Sequence, residues 1–328
     1  MLQASDLRGL YAIIPTPALP GADRIDAIDT VDLAETERVV EKLISDGVHG
    51  LIALGTTGEC ATLTPAEYEV FVETVLRAVN KRVPTFIGTT ALGSHEIVRR
   101  MAFVRDRGAD GVLLGMPMWQ PLTVAMAVEH YRAMSEAFPT LAIMVYANER
   151  AFRFNFRDPA FWEAVVRVAP TVMSAKFSMA NAVVPLQVAA GGKVHFLPHD
   201  DAVGKFYKLA PDTTTACWAT AASMGPQPSL AMINAILDRN DERIAAVSKD
   251  IAWTVEPIAP LLATPDVFAS YNIQVEKLRI NAAGYCNAGP VRPPYHVVPD
   301  DIAEMSAECG RRWRSICAKY TSAAPLRG

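Results

Sequence analysis

The sequence predicts an α/β protein, a (β/α)8 barrel with a C-terminal helical extension. Three observations carry that reading. Eight short, almost wholly apolar runs alternate with longer segments of helical period. Each run lacks the polar alternation of a half-exposed strand, as expected where parallel strands are buried on both faces. A glycine cadence, in which one glycine stops a helix and a second opens the next strand, recurs two βα units apart at Gly47–Gly50 and Gly108–Gly111.

The elements follow in order. The apolar runs are LYAIIP (10–15), GLIALG (50–55), PTFIGTT (84–90), GVLLGM (111–116), LAIMVYA (141–147), TVMSAKF (171–177), VHFLP (194–198) and TTTACWA (213–219). Between them AETERVVEKLISDG, PAEYEVFVETVLRAVN, SHEIVRRMAFVRDRG and TVAMAVEHYRAMSEAF carry apolar residues at helical spacing. Thr64, with Pro65 at the first helical position and Glu67 three residues on, reads as a capping box, and Ser94 as a second helix start. A doubly wound sheet is the architectural rival, weakened by the strand count and by the lack of a GxGxxG turn after the first strand. Residues 226–283 and 300–320 read as helices, more than an eighth barrel helix requires. The division expected is a barrel core over 1–222, with the last barrel helix and a helical extension of the same domain over 223–328.

Composition narrows the function classes. The chain has 328 residues, 51% of them hydrophobic, and a formal net charge of -4. That apolar content excludes a disordered chain. Mixed charges without a Lys/Arg run speak against nucleic acid. The five cysteines are widely spaced with no CxxC, which fits reduced thiols better than a disulfide framework or a thiolate zinc site. The opening MLQASDLRGLYAIIPTP breaks its apolar run at Pro15 and Pro17, so neither a signal peptide nor a membrane span is expected, and a cytoplasmic protein is.

A barrel presents its chemistry at the C-terminal ends of the strands. Lys176 lies inside an apolar strand, where desolvation would lower an amine's pKa and make it a nucleophile toward ketones; the competing reading is a strand-end lysine reaching solvent. The turn Gly55-Thr56-Thr57-Gly58-Glu59 offers backbone N–H groups and hydroxyls to a carboxylate, or simply caps the next helix; Glu59 is read as tying the turn down. Tyr146 could relay a proton or fill the core with a wet tip. His195 and His199 sit on a strand and its loop, no HExxH occurs, and Asp200 or Asp201 reads more simply as a helix N-cap, so no metal is expected. Cys60 and Cys217 read as small apolar filler.

The GTTGE turn, Tyr146, Lys176, the Asp200–Asp201 pair and the segment NIQVEKLRINAAGYCNAGPVRPPY (272–295), in that order over nearly the whole chain, resemble the dihydrodipicolinate synthase / N-acetylneuraminate lyase family of class I aldolases. The resemblance implies that Lys176 forms an imine with a 2-oxo acid, that Thr56 and Thr57 bind its carboxylate, and that Tyr146 relays protons, with no cofactor. It also implies a homotetramer. Two departures stand out. The arginine that dihydrodipicolinate synthases carry five residues after the strand-five tyrosine is Ala151 here, with Arg150 one place off. Their tyrosine pair after the strand-four proline is Met118-Trp119. Those changes, with Trp218, suggest an aryl pocket of Met118, Trp119 and Trp218.

The strings GTTALGSHEIVR, LGMPMW, YANERAFRF and FLPHDD are similar to the hydratase-aldolases of aromatic-hydrocarbon breakdown. That similarity implies cleavage of an ortho-substituted benzalpyruvate to an aromatic aldehyde and pyruvate, small molecules being the only partners besides further copies of the chain. His199 would then position water or the aryl substituent, or merely hydrogen-bond to backbone. Asn272 would contact the ortho group, or serve as a helix N-cap.

Overall fold

The computed structural model describes residues 1–321; the last part of the expected extension, 322–328, lies outside them. Eight parallel strands are present: β1 Gly9–Ile13, β2 Gly50–Ala53, β3 Thr85–Gly88, β4 Gly111–Leu114, β5 Ala142–Tyr146, β6 Val172–Lys176, β7 His195–Leu197 and β8 Ala216–Ala219. Their order is β7-β6-β5-β4-β3-β2-β1-β8, each strand beside its sequence neighbour and β8 returning to β1. The seam between β7 and β8 closes just above the strands, at the parallel bridge His199–Trp218. Thus the eight expected runs form a nearly closed barrel. Apart from His195 and Lys176 every strand residue is buried, which is why the runs lack alternation.

The helices are α1 Leu33–Ser45, α2 Pro65–Val79, α3 Ser94–Asp106, α4 Val124–Ala137, α5 Glu149–Phe152, α6 Pro159–Val168, α7 Val183–Ala189, α8 Val203–Leu209, α9 Gln227–Leu237, α10 Asp241–Val255, α11 Ala259–Leu262, α12 Pro265–Ala283 and α13 Asp300–Thr321. The Thr64/Glu67 capping box starts α2: Glu67 N–H donates to Thr64 Oγ1 at 3.2 Å, and Thr64 N–H to Glu67 Oε2 at 2.9 Å. Ser94 does not cap α3 but is its first residue, Gly93 taking the cap position. The stretch 226–283 divides into α9 to α12: Arg239 in the left-handed region and the Asn240 cap separate α9 from α10, and Pro257, Pro260 and Pro265 interrupt the chain from α10 to α12.

The glycine cadence has a local cause. Gly47 and Gly108 adopt φ of 93° and 83°, which side chains resist. Gly50 and Gly111 open their strands against aromatic rings: a Cβ on Gly50 would stand 2.3 Å from the Tyr11 ring, and one on Gly111 2.6 Å from that of Phe86.

One irregularity shapes the barrel mouth. The β5–β6 register starts at Ile143–Val172 and shifts between Ile143 and Met144, so Tyr146 ends opposite Lys176 instead of Ala175. A bulge of this kind re-aims a side chain beside a site. Outside β5 and β6 an edge-to-face ladder of Phe152, Phe156, Phe161 and Trp162 packs down from the Tyr146 ring, which contacts Phe152 at a centroid distance of 5.7 Å.

Candidate active site

The C-terminal strand ends and the helices α10–α12 enclose a cavity of about 410 Å³. Of the residues singled out from sequence, it brings together Thr56, Thr57, Tyr146, Lys176, His199, Trp218 and Asn272. Gly55 lies behind the lining, its Cα facing the Tyr146 hydroxyl across 3.8 Å from a built Cβ.

Lys176 is the centre of this group. Its Nζ stands 3.3 Å from the centroid of the Trp218 ring and 4.9 Å from that of Tyr146. Removal from water pulls its pKa down to about 7, against the opposing pull of Glu276. A substantial share of the amine is therefore free at neutral pH, as a ketone nucleophile must be.

Tyr146 Oη and Thr56 Oγ1 share a hydrogen bond of 2.6 Å, and Oη also accepts from Thr56 N–H and Asn148 Nδ2, both at 3.4 Å. Burial raises the Tyr146 pKa more than these bonds lower it, so the phenol holds its proton and can pass it along the Thr56 hydroxyl. The turn bearing Thr56 needs its second glycine, since a Cβ on Gly58 would lie 2.7 Å from Leu54 N. It is fastened from below by Glu59, a fully buried carboxylate held by Lys277 at 2.7 Å and Arg292 at 2.6 Å. The GPVRPPY segment owes its arginine to this contact.

His199 is not merely bonded to backbone. Its Nδ1 lies 2.6 Å from Asp201 Oδ1 and 3.2 Å from Asp200 Oδ1. Burial disfavours its charge, yet Asp201 and Asp200 raise its pKa to about 9. The aspartates are therefore partners of this histidine; neither caps α8, whose cap position belongs to Ala202. Asp200 also accepts from Ser229 Oγ. Asn272 lies inside α12, not at its start, because Pro265 begins that helix seven residues earlier.

One expectation about the aryl pocket is corrected. Trp119 is 74% exposed and stands outside the cavity, Arg153 binding the carbonyls of Met118 and Trp119 so that this loop turns outward. Trp218 lines the cavity, but Lys176 occupies its face. The apolar wall comes instead from the helical extension: Ile251, Val255, Ile258, Leu262 and Phe268. Arg150 reaches the cavity rim and donates to Pro265 O at 3.0 Å. Sequence reasoning also missed Asn148, Glu276 and Arg279. The last two share a helical face with Asn272 at intervals of four and three residues, a signal that was available.

The thiols are poor nucleophiles. Burial pushes Cys60 up to about 11 and Cys217 well above its ordinary value. Among the described residues no three His, Cys, Asp or Glu are grouped to hold a metal ion, and no helix is long and apolar enough to cross a membrane.

An amine near neutrality beside a phenol and a hydroxyl-bearing turn, at the mouth of a (β/α)8 barrel, defines the class: the protein is a barrel lyase. The model of the dihydrodipicolinate synthetase family matches residues 23–154. The trans-O-hydroxybenzylidenepyruvate hydratase-aldolase of Pseudomonas aeruginosa is 37% identical over 325 residues, covering 98% of this chain and 96% of that protein. The trans-2'-carboxybenzalpyruvate hydratase-aldolase of Nocardioides sp. (strain KP7) is 36% identical, covering 97% and 96%. Among solved structures, PhdJ bound to substrate intermediate superposes with a TM-score of 0.93 at 33% identity, over 97% of this chain and 99% of that one. The chain belongs to the dihydrodipicolinate synthetase family, and these relatives are its hydratase-aldolases.

Proposed function

We propose that the protein is a Schiff-base hydratase-aldolase that cleaves an ortho-substituted benzalpyruvate, with a hydroxyl or carboxylate on the ring, to an aromatic aldehyde and pyruvate. The observation that carries this reading is the register pair Tyr146–Lys176, which sets a partly desolvated amine beside a protonated phenol in one cavity. The functions carried by the hydratase-aldolase relatives support the substrate class.

The steps follow from the chemistry. The Lys176 amine adds to the C2 ketone of the 4-aryl-2-oxobut-3-enoate and water leaves, giving an iminium conjugated to the alkene. The iminium draws electrons from C4, where water adds and releases a proton; C3 is protonated as the enamine collapses. The Tyr146 oxygen then takes the 4-hydroxyl proton as the phenol hands its own proton through the Thr56 hydroxyl to water in the cavity, the C3–C4 bond breaks, its electrons pass to the iminium nitrogen, and the aldehyde departs. Protonation of the enamine and hydrolysis release pyruvate and the free amine.

Thr56 and Thr57 bind the 2-oxo acid carboxylate, and the wall from α10–α12 takes the aryl ring. Asn272, near that wall, contacts the ortho group. The protein acts without a cofactor and as a homotetramer in the cytoplasm. The test is turnover of trans-o-hydroxy- and trans-o-carboxybenzalpyruvate, followed by loss of the conjugated enone absorbance and by enzymatic assay of pyruvate. Stoichiometric pyruvate and aldehyde from either substrate is expected; pyruvate from neither would overturn the proposal.

A further inference from the structure

The indole of Trp218 is fixed by every neighbour except the one it faces. Its Nε1 donates to Leu197 O at 3.1 Å, and its backbone N–H to Pro198 O at 2.9 Å. Its carbonyl accepts from Asp200 N–H at 3.0 Å. The His199 ring abuts it at a centroid distance of 4.4 Å and an interplanar angle of 67°, and Asp201 holds that histidine at 2.6 Å. The indole face so oriented carries Lys176 Nζ at 3.3 Å, far inside the roughly 6 Å over which a ring face attracts a cation.

That nitrogen is the atom that becomes the iminium nitrogen. The positive charge of each iminium intermediate therefore develops where the amine already rests, over the negative face of the ring quadrupole. The alternative stabiliser, a carboxylate at the same distance, would pair with the resting ammonium and hold its proton. A π face attracts the cation yet accepts no proton, so it supports the iminium without acting as its base. Glu276, on α12, adds attraction to the same nitrogen, and Arg279 pairs with that carboxylate at 3.5 Å.

We propose that Trp218 is a catalytic residue whose indole face stabilises the iminium charge on Lys176, and that His199 with Asp201 is a positioning pair that sets the plane of that face. The proposal rests on the reading of Lys176 as the imine-forming residue. It also gives Trp218 a role wherever an iminium forms or is consumed, including the pyruvate iminium that follows departure of the aldehyde, where a wall of an aryl pocket would have none.

The experiment replaces Trp218 alone with tryptophans bearing one, two and three ring fluorines, introduced site-specifically in the full chain. Fluorine drains the ring face of charge with little change of shape. The readout is the Kd of the pyruvate imine, from the pyruvate dependence of borohydride trapping. The full attraction corresponds to roughly 2- to 30-fold in this equilibrium. The logarithm of Kd should therefore climb steadily with fluorine number within that span. His199→Gln should raise Kd and flatten the climb, because the face is no longer held under the nitrogen. A Kd indifferent to fluorination, while the unsubstituted enzyme traps pyruvate normally, would overturn the role of Trp218. Failure of the unsubstituted enzyme to trap pyruvate on Lys176 at any pH would instead overturn the parent reading, and this one with it.

Discussion

Removing the Glu59 carboxylate should destabilise the protein more than removing either of its cations alone. Glu59 Oε2 meets Lys277 Nζ at 2.7 Å and Arg292 Nη1 at 2.6 Å, while Oε1 accepts the Arg292 N–H at 2.8 Å. All three side chains are buried. Breaking a buried ion pair from one side costs about 3–5 kcal/mol, because the remaining charge is stranded.

In Lys277→Met the carboxylate keeps Arg292, so the cost falls at about 3 kcal/mol. In Glu59→Gln two cations confront each other. Arg292 retains the Thr16, Pro17 and Thr30 oxygens, but Lys277 is left with Pro290 O alone, so the cost rises to about 5 kcal/mol. At roughly 2 °C per kcal/mol for a chain of this length, Tm falls by about 6 °C and 10 °C respectively. Urea midpoints and Tm measure both. The double variant should lose less than the sum of the single losses, by about 0.5–3 kcal/mol of coupling. Because Glu59 holds the turn that bears Thr56 and Thr57, KM for the 2-oxo acid should rise in both variants. If Lys277→Met costs as much as Glu59→Gln, or both cost less than about 1 kcal/mol, the buried charges are not compensating one another as described.

Two further outcomes are expected. Tyr146→Phe should leave pyruvate trapping on Lys176 intact and lower kcat for cleavage by about 10²- to 10⁴-fold, since only the proton relay through Thr56 is lost; equal losses in both assays would contradict that division. His199 has a folded-state pKa raised to about 9, so its stabilisation is complete below its unfolded value near 6.5 and disappears as pH climbs through 9. The stability gap between the native chain and His199→Gln should accordingly be about 3 kcal/mol at pH 6 and close by pH 10. A gap independent of pH would contradict the ion pair with Asp201.

The barrel was legible because burial on both faces leaves a strand no reason to alternate, and the glycine cadence announced where helices stop. Chemistry on the strands was legible for the same reason: Lys176 interrupts an otherwise apolar run. What the strands do to one another was not. The bulge that brings Tyr146 opposite Lys176 is a matter of register between two segments, with no residue that announces it. Likewise Trp218 was visible as a bulky aromatic near a strand end. Its partner on β6 emerges only when the barrel closes. Trp119 misled because a large aromatic after a strand resembles a pocket wall, whereas the clamp by Arg153 that turns its loop outward lies 34 residues on. Glu276 and Arg279 stand in the NIQVEKLRINAAGYCNAGPVRPPY motif with no role assigned, because their meaning depends on helical spacing. Taken at helical spacing, Asn272, Glu276 and Arg279 form a single polar face over the cavity.

The central claim is that Lys176 is the covalent nucleophile, and borohydride reduction in the presence of pyruvate, followed by peptide mass spectrometry, tests it most directly. The reduced pyruvyl adduct should appear on the peptide containing Lys176. Its formation rate should increase as pH rises through about 7, where the ammonium becomes amine, and then level off; Lys176→Arg should form none. Full cleavage of a benzalpyruvate by Lys176→Arg, or an adduct carried by another lysine, would contradict the account.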